Sequence, residues 1–185
     1  MAQNADNIEV LRPKTDGVAY TGVAGTTLPV TASETLDEAL SSLGLISEDG
    51  ITMKINRETE DLKEMGGDVA LTIQTEHSVE FTLKPMELMN QTVLAEMFGE
   101  DNLAFSGGKL SGLKVNGDEL PERVGVFDMV GRNKRLMRVV IPRLQASELG
   151  EIVFKGGEYA ASEITYKALP DADGVKAYIY FATAA

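Results

Sequence analysis

Of the side chains that usually carry chemistry, this sequence holds one histidine, His77, and no cysteine. A nucleophile–base–acid triad needs partners at a recognisable motif, and a zinc site needs several imidazoles or thiolates; neither finds a second member here. His77 falls between two strand-like runs and reads as a structural or surface residue. Without cysteine there is no disulfide framework, no thiolate metal site and no thiol redox chemistry. Carboxylates are plentiful, yet Glu58, Glu60 and Asp61 lie in a polar stretch with no apolar pocket around them to raise a carboxyl pKa for acid–base work. The string PDADG spaces Asp171 and Asp173 like the start of a calcium loop, but residues 175–181 supply no acidic oxygen downstream, so it reads as a turn. Gly107-Gly108 and Gly156-Gly157 are not followed by the Lys-Ser/Thr of a phosphate loop. The residues therefore point to no catalytic centre, no cofactor and no metal.

The bulk properties narrow the remaining classes. At 185 residues and 19.9 kDa, with 43% hydrophobic and 25% charged residues, the chain has the size and composition of one globular domain with arms. A net charge of −12 repels nucleic-acid phosphates, and its most basic run, GRNKRLMR (residues 131–138), reads as a solvated turn entering a strand. No apolar run approaches the length of a membrane span, and the N-terminus lacks the basic and apolar regions of a secretory leader, so a soluble protein made in the cytoplasm is expected.

The elements that must position any site follow from periodicity. Residues 1–30 are rich in Gly, Thr, Asn and Asp, with only a brief strand-like run at 18–23, and read as an extended arm preceding a single domain over 31–185. TASETLDEALSSLG predicts a short helix with Leu36, Ala39, Leu40 and Leu43 on one face and Gly44 as its stop. The period then becomes two. Ile51, Met53 and Ile55 alternate with Thr52, Lys54 and Asn56, and Val69, Leu71 and Ile73 alternate with Ala70, Thr72 and Gln74. Pairing Asn56 with Thr72 and Lys54 with Gln74 would keep both apolar rows together. Residues 58–68, including Glu58, Glu60, Asp61, Leu62, Lys63, Glu64 and Met65, then form a loop longer than the two to five residues a hairpin needs. A third strand is expected at 78–83. KPMELMNQTVLAEMFGED predicts the main helix, from near Pro85 to a stop at Gly99, its Met-rich stripe packed on the sheet. The remainder reads as β: a turn at Asn116-Gly117, strands at 123–130 and 135–145 with Pro142 at an edge or bulge, and a closing hairpin of 161–169 with 175–183.

The order of three strings, TLDEALSSLGLISEDGITMKINRETEDLKEMGGD, FTLKPMELMNQTVLAEMFGEDNL and ALPDADGVKAYIYF, resembles the major tail (tail tube) proteins of long, non-contractile-tailed bacteriophages, from about Thr35 to the C-terminus. The resemblance implies a mainly β (α+β) fold: a β-sandwich or barrel-like sheet with one flanking helix, shared with the tube protein of type VI secretion. It implies hexameric rings stacked into a hollow tube that holds a tape-measure protein during assembly, meets tail-tip and tail-terminator proteins, and conducts DNA without specific binding or membrane insertion. Its location would be the virion tail, reached from the host cytoplasm. On the same basis the 58–68 loop reaches a neighbouring subunit or ring, and the polar face of Thr52, Lys54, Asn56, Thr72, Gln74 and Glu76 lines the channel. Lys54 would then need a carboxylate beside it, such as Glu76. Two other readings share these residues: a tube protein of a contractile injection system, and a monomeric ligand-binding or enzymatic β-domain, which would require a polar-lined pocket.

Overall fold

The structure, a computed structural model, describes residues 4–5 and 8–183; the first and last residues of the expected arm and tail, 1–3, 6–7 and 184–185, lie outside it. In chain order the elements are β1 (Arg12–Pro13), β2 (Ala19–Val23), β3 (Ser41–Ser42), β4 (Ile46–Lys63), β5 (Val69–Pro85), α1 (Gln91–Phe98), β6 (Leu103–Ser106), β7 (Lys109–Leu113), β8 (Arg123–Val130), β9 (Arg135–Leu149), β10 (Ile164–Ala168) and β11 (Tyr178–Thr183). The fold is mainly β with one flanking α-helix, as expected. Nine strands form one sheet in the order β3-β2-β8-β9-β10-β5-β4, with β1 also on β8 and β11 also on β9, while β6 and β7 make a separate hairpin. Every pairing is antiparallel.

The sheet curls. Phe81 on β5 and Phe127 on β8 meet edge-to-face at 5.5 Å although β9 and β10 lie between their strands. In a flat sheet three strand spacings would hold them about 14 Å apart. The curl closes one face into a core of Val79, Phe81, Leu83, Phe127, Ile141, Leu144 and Ile164, against which α1 sets Val93 and Met97. A smaller cluster, Leu40, Val124, Val126 and Val140, lies on the other face of β8 and β9. The helix starts later than the Pro85 signal suggests, because Asn90 caps it by accepting the Thr92 N–H at 2.9 Å; it stops at Gly99, whose φ of 85° favours glycine.

The segment expected as a helix at 31–44 is not helical. Arg138, on β9 and 1% exposed, donates from Nη1 to the carbonyls of Thr31 at 3.0 Å and Glu34 at 2.7 Å, acceptors that an α-helix would need for its own ladder. Its Nε and Nη2 hold Asp128 at 2.6 and 2.7 Å. A buried guanidinium left short of acceptors is costly, so it overrides a short helix of moderate propensity. Leu36 and Leu40 still pack inward, from irregular backbone.

Three further expectations change. The residues assigned to the arm supply β1 and β2, and Ala19 is fully buried against the core. The C-terminal segments do not pair with each other: β10 lies on Leu144–Leu149 of β9 and β11 on Arg135–Val140, so they form one interrupted strand with residues 169–177 looping out between them. Pro142 sits at that interruption, and the β8–β9 register also shifts beside it, because proline has no N–H to give to either neighbour. Finally, residues 58–63 are strand. β4 and β5 form a single hairpin from Ile51↔Leu83 to Lys63↔Val69, closed by residues 64–68 with Gly67 at φ 93°. The charged excursion runs as a ribbon because both of its faces are solvated there, so neither row needs burial.

Candidate functional site, an exposed two-stranded ribbon

β4 and β5 serve two purposes along their length. At the base, Ile51, Met53 and Ile55 pair with Leu83, Phe81 and Val79 and share their core-side face. Farther out the strands leave the body: every residue of β4 and β5 from Arg57 to Lys63 and from Val69 to Glu76 is exposed. From Glu58 to Lys63 the ribbon extends on the order of 20 Å at about 3.3 Å per residue.

A bulge changes which side chains share a face. Glu58 pairs with Glu76, but Thr59 pairs with Gln74, leaving Thr75 as the extra residue on β5. Beyond it, Glu60 opposes Ile73, Asp61 opposes Thr72 and Leu62 opposes Leu71. Two contacts agree with this switch: Thr72 Oγ1 donates to Asp61 Oδ1 at 2.6 Å, and Arg57 Nη1 donates to Gln74 Oε1 at 3.4 Å. Ile73 and Leu71, in step with Phe81 along β5, therefore move to the opposite face and join Leu62, with Glu58, Glu60 and Glu76 around them. Leu71 is 56% exposed.

The expected register is thus replaced. Asn56 pairs with Ser78 and Lys54 with Glu80, a shift of six residues along β5, because extended pairing through 58–63 consumes the residues that a loop would have spared. Thr52, Lys54, Asn56 and Glu76 remain on one polar face, whereas Thr72 and Gln74 fall on the other with Asp61 and Arg57. Lys54 meets a carboxylate, but it is Glu80, at 3.6 Å. Glu64 and Met65 lie in the closing turn, where the Glu64 N–H donates to Asp68 O at 2.9 Å. His77 marks the ribbon's root, its carbonyl accepting from Lys176 Nζ.

A second surface lies at the β8–β9 turn. Asn133 and Lys134 adopt left-handed backbone, φ 54° and 58°, and Arg132, Lys134 and Arg135 are exposed. The turn already holds a carboxylate: Glu9 accepts from the Arg132 N–H at 2.9 Å and from Arg135 Nη1 at 2.7 Å. Next to it an open groove of about 390 Å3 is lined by Leu11, Leu136, Met137 and Phe181. Phe181 is 74% exposed, and among the described residues β11 pairs only with β9.

The interior holds charges that the sequence did not flag. Glu96 on α1 lies 3.5 Å from Arg123 Nε, whose Nη2 reaches Glu100 at 2.9 Å; Tyr166 sits beside them. Burial raises the Glu96 carboxyl pKa, with Arg123 opposing, and burial followed by the Glu96 charge raises the Tyr166 hydroxyl well above its ordinary value. Among the described residues Arg123 Nε has no hydrogen-bond partner, while the Tyr166 hydroxyl is directed to the Glu96 carboxyl. An open cavity of about 320 Å3 beside this cluster is lined by Thr21, Gln91, Glu96 and Arg123. Among the described residues no group of three or more His, Asp or Glu is arranged to hold a metal ion, and no helix is long and apolar enough to cross a membrane. PDADG is a turn, with Asp171 accepting from the Asp173 and Val175 N–H groups and from the Tyr178 hydroxyl.

No protein-family model and no curated protein matches the chain. Several solved structures are similar in shape. They include the tube-terminating cap of the anti-feeding prophage (TM-score 0.45, 13% identity, 98% of this chain and 100% of that one). A chain of the sheath–tube complex of the extracellular contractile injection system PVC, in its extended state, gives TM-score 0.43 and 10% identity over 92% and 93% of the two chains. A chain from the tail of an empty gene transfer agent particle, refined with C6 symmetry, gives 0.40 and 12% over 100% of both.

Proposed function

We propose that this chain is a non-enzymatic structural subunit of a tail tube of the kind built by long, non-contractile-tailed phages, with copies joining in hexameric rings that stack into a hollow conduit. The observation that carries the reading is the β4–β5 ribbon. An isolated two-stranded hairpin is marginal in water, and one that holds Leu62, Leu71 and Ile73 in solvent on a single face is built to be covered. The order of sequence strings described above supplies the kind of particle. On this reading the partners are further copies of the chain, a tape-measure protein inside the tube, tail-tip and terminator proteins at its ends, and DNA in transit. The location is the virion tail, after assembly in the host cytoplasm.

The polar face of Thr52, Lys54 and Asn56 is proposed as channel lining. Glu80 offsets Lys54 in every copy, so the net −12 chain need not place an unbalanced cationic ring in the path of phosphates. Negative-stain microscopy and light scattering of the purified protein over a wide concentration range test the reading. Rings or tubes are expected, with or without a tail-tip nucleus. Monomers at every concentration, even with tail-tip components added, would overturn it.

A further inference from the structure

We infer that the face of the ribbon bearing Glu58, Glu60, Leu62, Leu71 and Ile73 docks on the β8–β9 turn and β11 edge of a second copy of this chain. The inference rests on the self-assembly proposed above and names both sides of one contact. Complementarity of chemistry carries it. The bulge at Thr75 puts two acids of β4 beside an apolar trio on one face. The acceptor presents the matching mixture: exposed Arg132 and Lys134 beside the apolar groove of Leu11, Met137 and Phe181. Residues 58–68 hold Glu58, Glu60, Asp61, Glu64 and Asp68 against Lys63 alone, in a chain whose most basic run is 131–138.

Glu9 shows that the acceptor turn takes carboxylates, using the Arg132 N–H and Arg135. Gly131 permits that approach, since a Cβ there would collide with the Glu9 carboxylate. Among the described residues β11 pairs only with β9, so its outer edge is open to an extended ribbon, which can meet it by main-chain hydrogen bonds. Donor and acceptor are different patches, so the contact is head-to-tail: each copy keeps one of each, and the series closes as a ring or continues as a filament.

The chain has no cysteine, which makes disulfide trapping clean. Leu71→Cys protein is mixed with Phe181→Cys protein under mild oxidation, and Val30→Cys, exposed and outside both patches, replaces either as control. The expected result is a 71–181 crosslinked dimer formed at least about tenfold faster than either control pair, slowing as salt screens the charges. In the parallel arm, Arg132→Glu with Lys134→Glu blocks assembly, as does Glu58→Arg with Glu60→Arg, and all four changes in one chain restore it. Crosslinking no faster than the controls, or wild-type assembly by the Arg132→Glu/Lys134→Glu chain, overturns the docking surface. If that chain assembles normally while the ribbon variant does not, the ribbon still mediates assembly through another acceptor. If wild-type protein does not assemble and the Leu71→Cys/Phe181→Cys pair crosslinks no faster than the controls, the tube reading itself fails.

Discussion

The two halves of the β4–β5 hairpin have the same strand pattern and opposite fates. Near the base, Phe81 is 1% exposed beneath the curl of the sheet; nearer the tip, Leu71 and Ile73 stand in solvent on strands that stay paired across register shifts after Glu58 and after Leu62. Alternation of apolar and polar residues says that one face will be covered, but not by what. At the base the chain's own core and α1 cover Val79, Phe81 and Leu83 of β5, while Met53 and Ile55 beside them on β4 stay exposed. At the tip the chain provides no cover, and that difference separates folding from assembly.

The sharpest break of the comparison is therefore a matched pair of truncations. Phe81→Ala should cost about 3–5 kcal/mol by the usual transfer and cavity terms, read as a lower denaturation midpoint. Ile73→Ser with Leu71→Ser should change monomer stability by no more than about 0.5 kcal/mol, as exposed sites do, while abolishing assembly. Equal losses of stability from both would mean that the tip is packed in solution.

Removing a charge from the other face of the sheet should rank with the core truncation. Asp128→Ala leaves Arg138 buried with only the Thr31 and Glu34 carbonyls and the cost is expected at about 3–5 kcal/mol. Because Arg138 pins the 31–34 segment, proteolysis within residues 24–40 should also speed up. Arg138→Met, which removes the charge instead of orphaning it, should be milder than Asp128→Ala.

These pairings also explain what was legible in the sequence. β8 appears within its expected bounds, Gly99 ends the main helix, and the apolar spacing of Leu36 and Leu40 correctly marks them as inward-facing, since local propensity and periodicity report burial directly. The helix at 31–44 fails because its decisive partner, Arg138, lies some hundred residues away, inside a run that reads as a solvated turn. The expected hairpin register is off by six residues because the strongly charged stretch 58–63 reads as loop yet forms strand; charge excludes burial, not pairing. No local pattern announces that Glu96 and Arg123 meet. Of the candidate face, Thr52, Lys54, Asn56 and Glu76 stay together and Thr72 and Gln74 leave it, a split made by a single unpaired residue, Thr75.

A smaller effect is expected from pH. The folded-state pKa of Glu96 is raised, by burial first, above its unfolded value. Its contribution to stability is therefore fully present below the ordinary carboxylate range and is lost as pH rises through the raised folded pKa. Glu96→Gln should flatten that slope in denaturation profiles collected across the acid-to-neutral range, since the amide has no charge to desolvate. An unchanged slope would assign the pH dependence to other carboxylates.

The smallest expected change in stability tests the bulge itself. Inserting one threonine between Glu58 and Thr59 gives Thr75 a partner and makes the pairing regular from the base out to Leu62↔Leu71. The inserted residue reverses the alternation of β4 beyond that point, so Leu62, Leu71 and Ile73 turn to the face shared with Phe81, while the side chains already in the ribbon stay the same. Both faces of the tip are exposed, so the monomer should denature within about 0.5 kcal/mol of wild type. Assembly should nevertheless fail, because Glu60 and the apolar trio would point away from the neighbour's basic turn while Glu58 alone stays on the docking face. Deleting Thr75 is the matched control: it also removes the bulge, but Gln74 then adjoins Glu76 and the apolar trio stays on the face of Glu58 and Glu60, so assembly should persist. Tubes formed equally well by the single-insertion chain would show that the ribbon acts through its length and charge, with no preferred face.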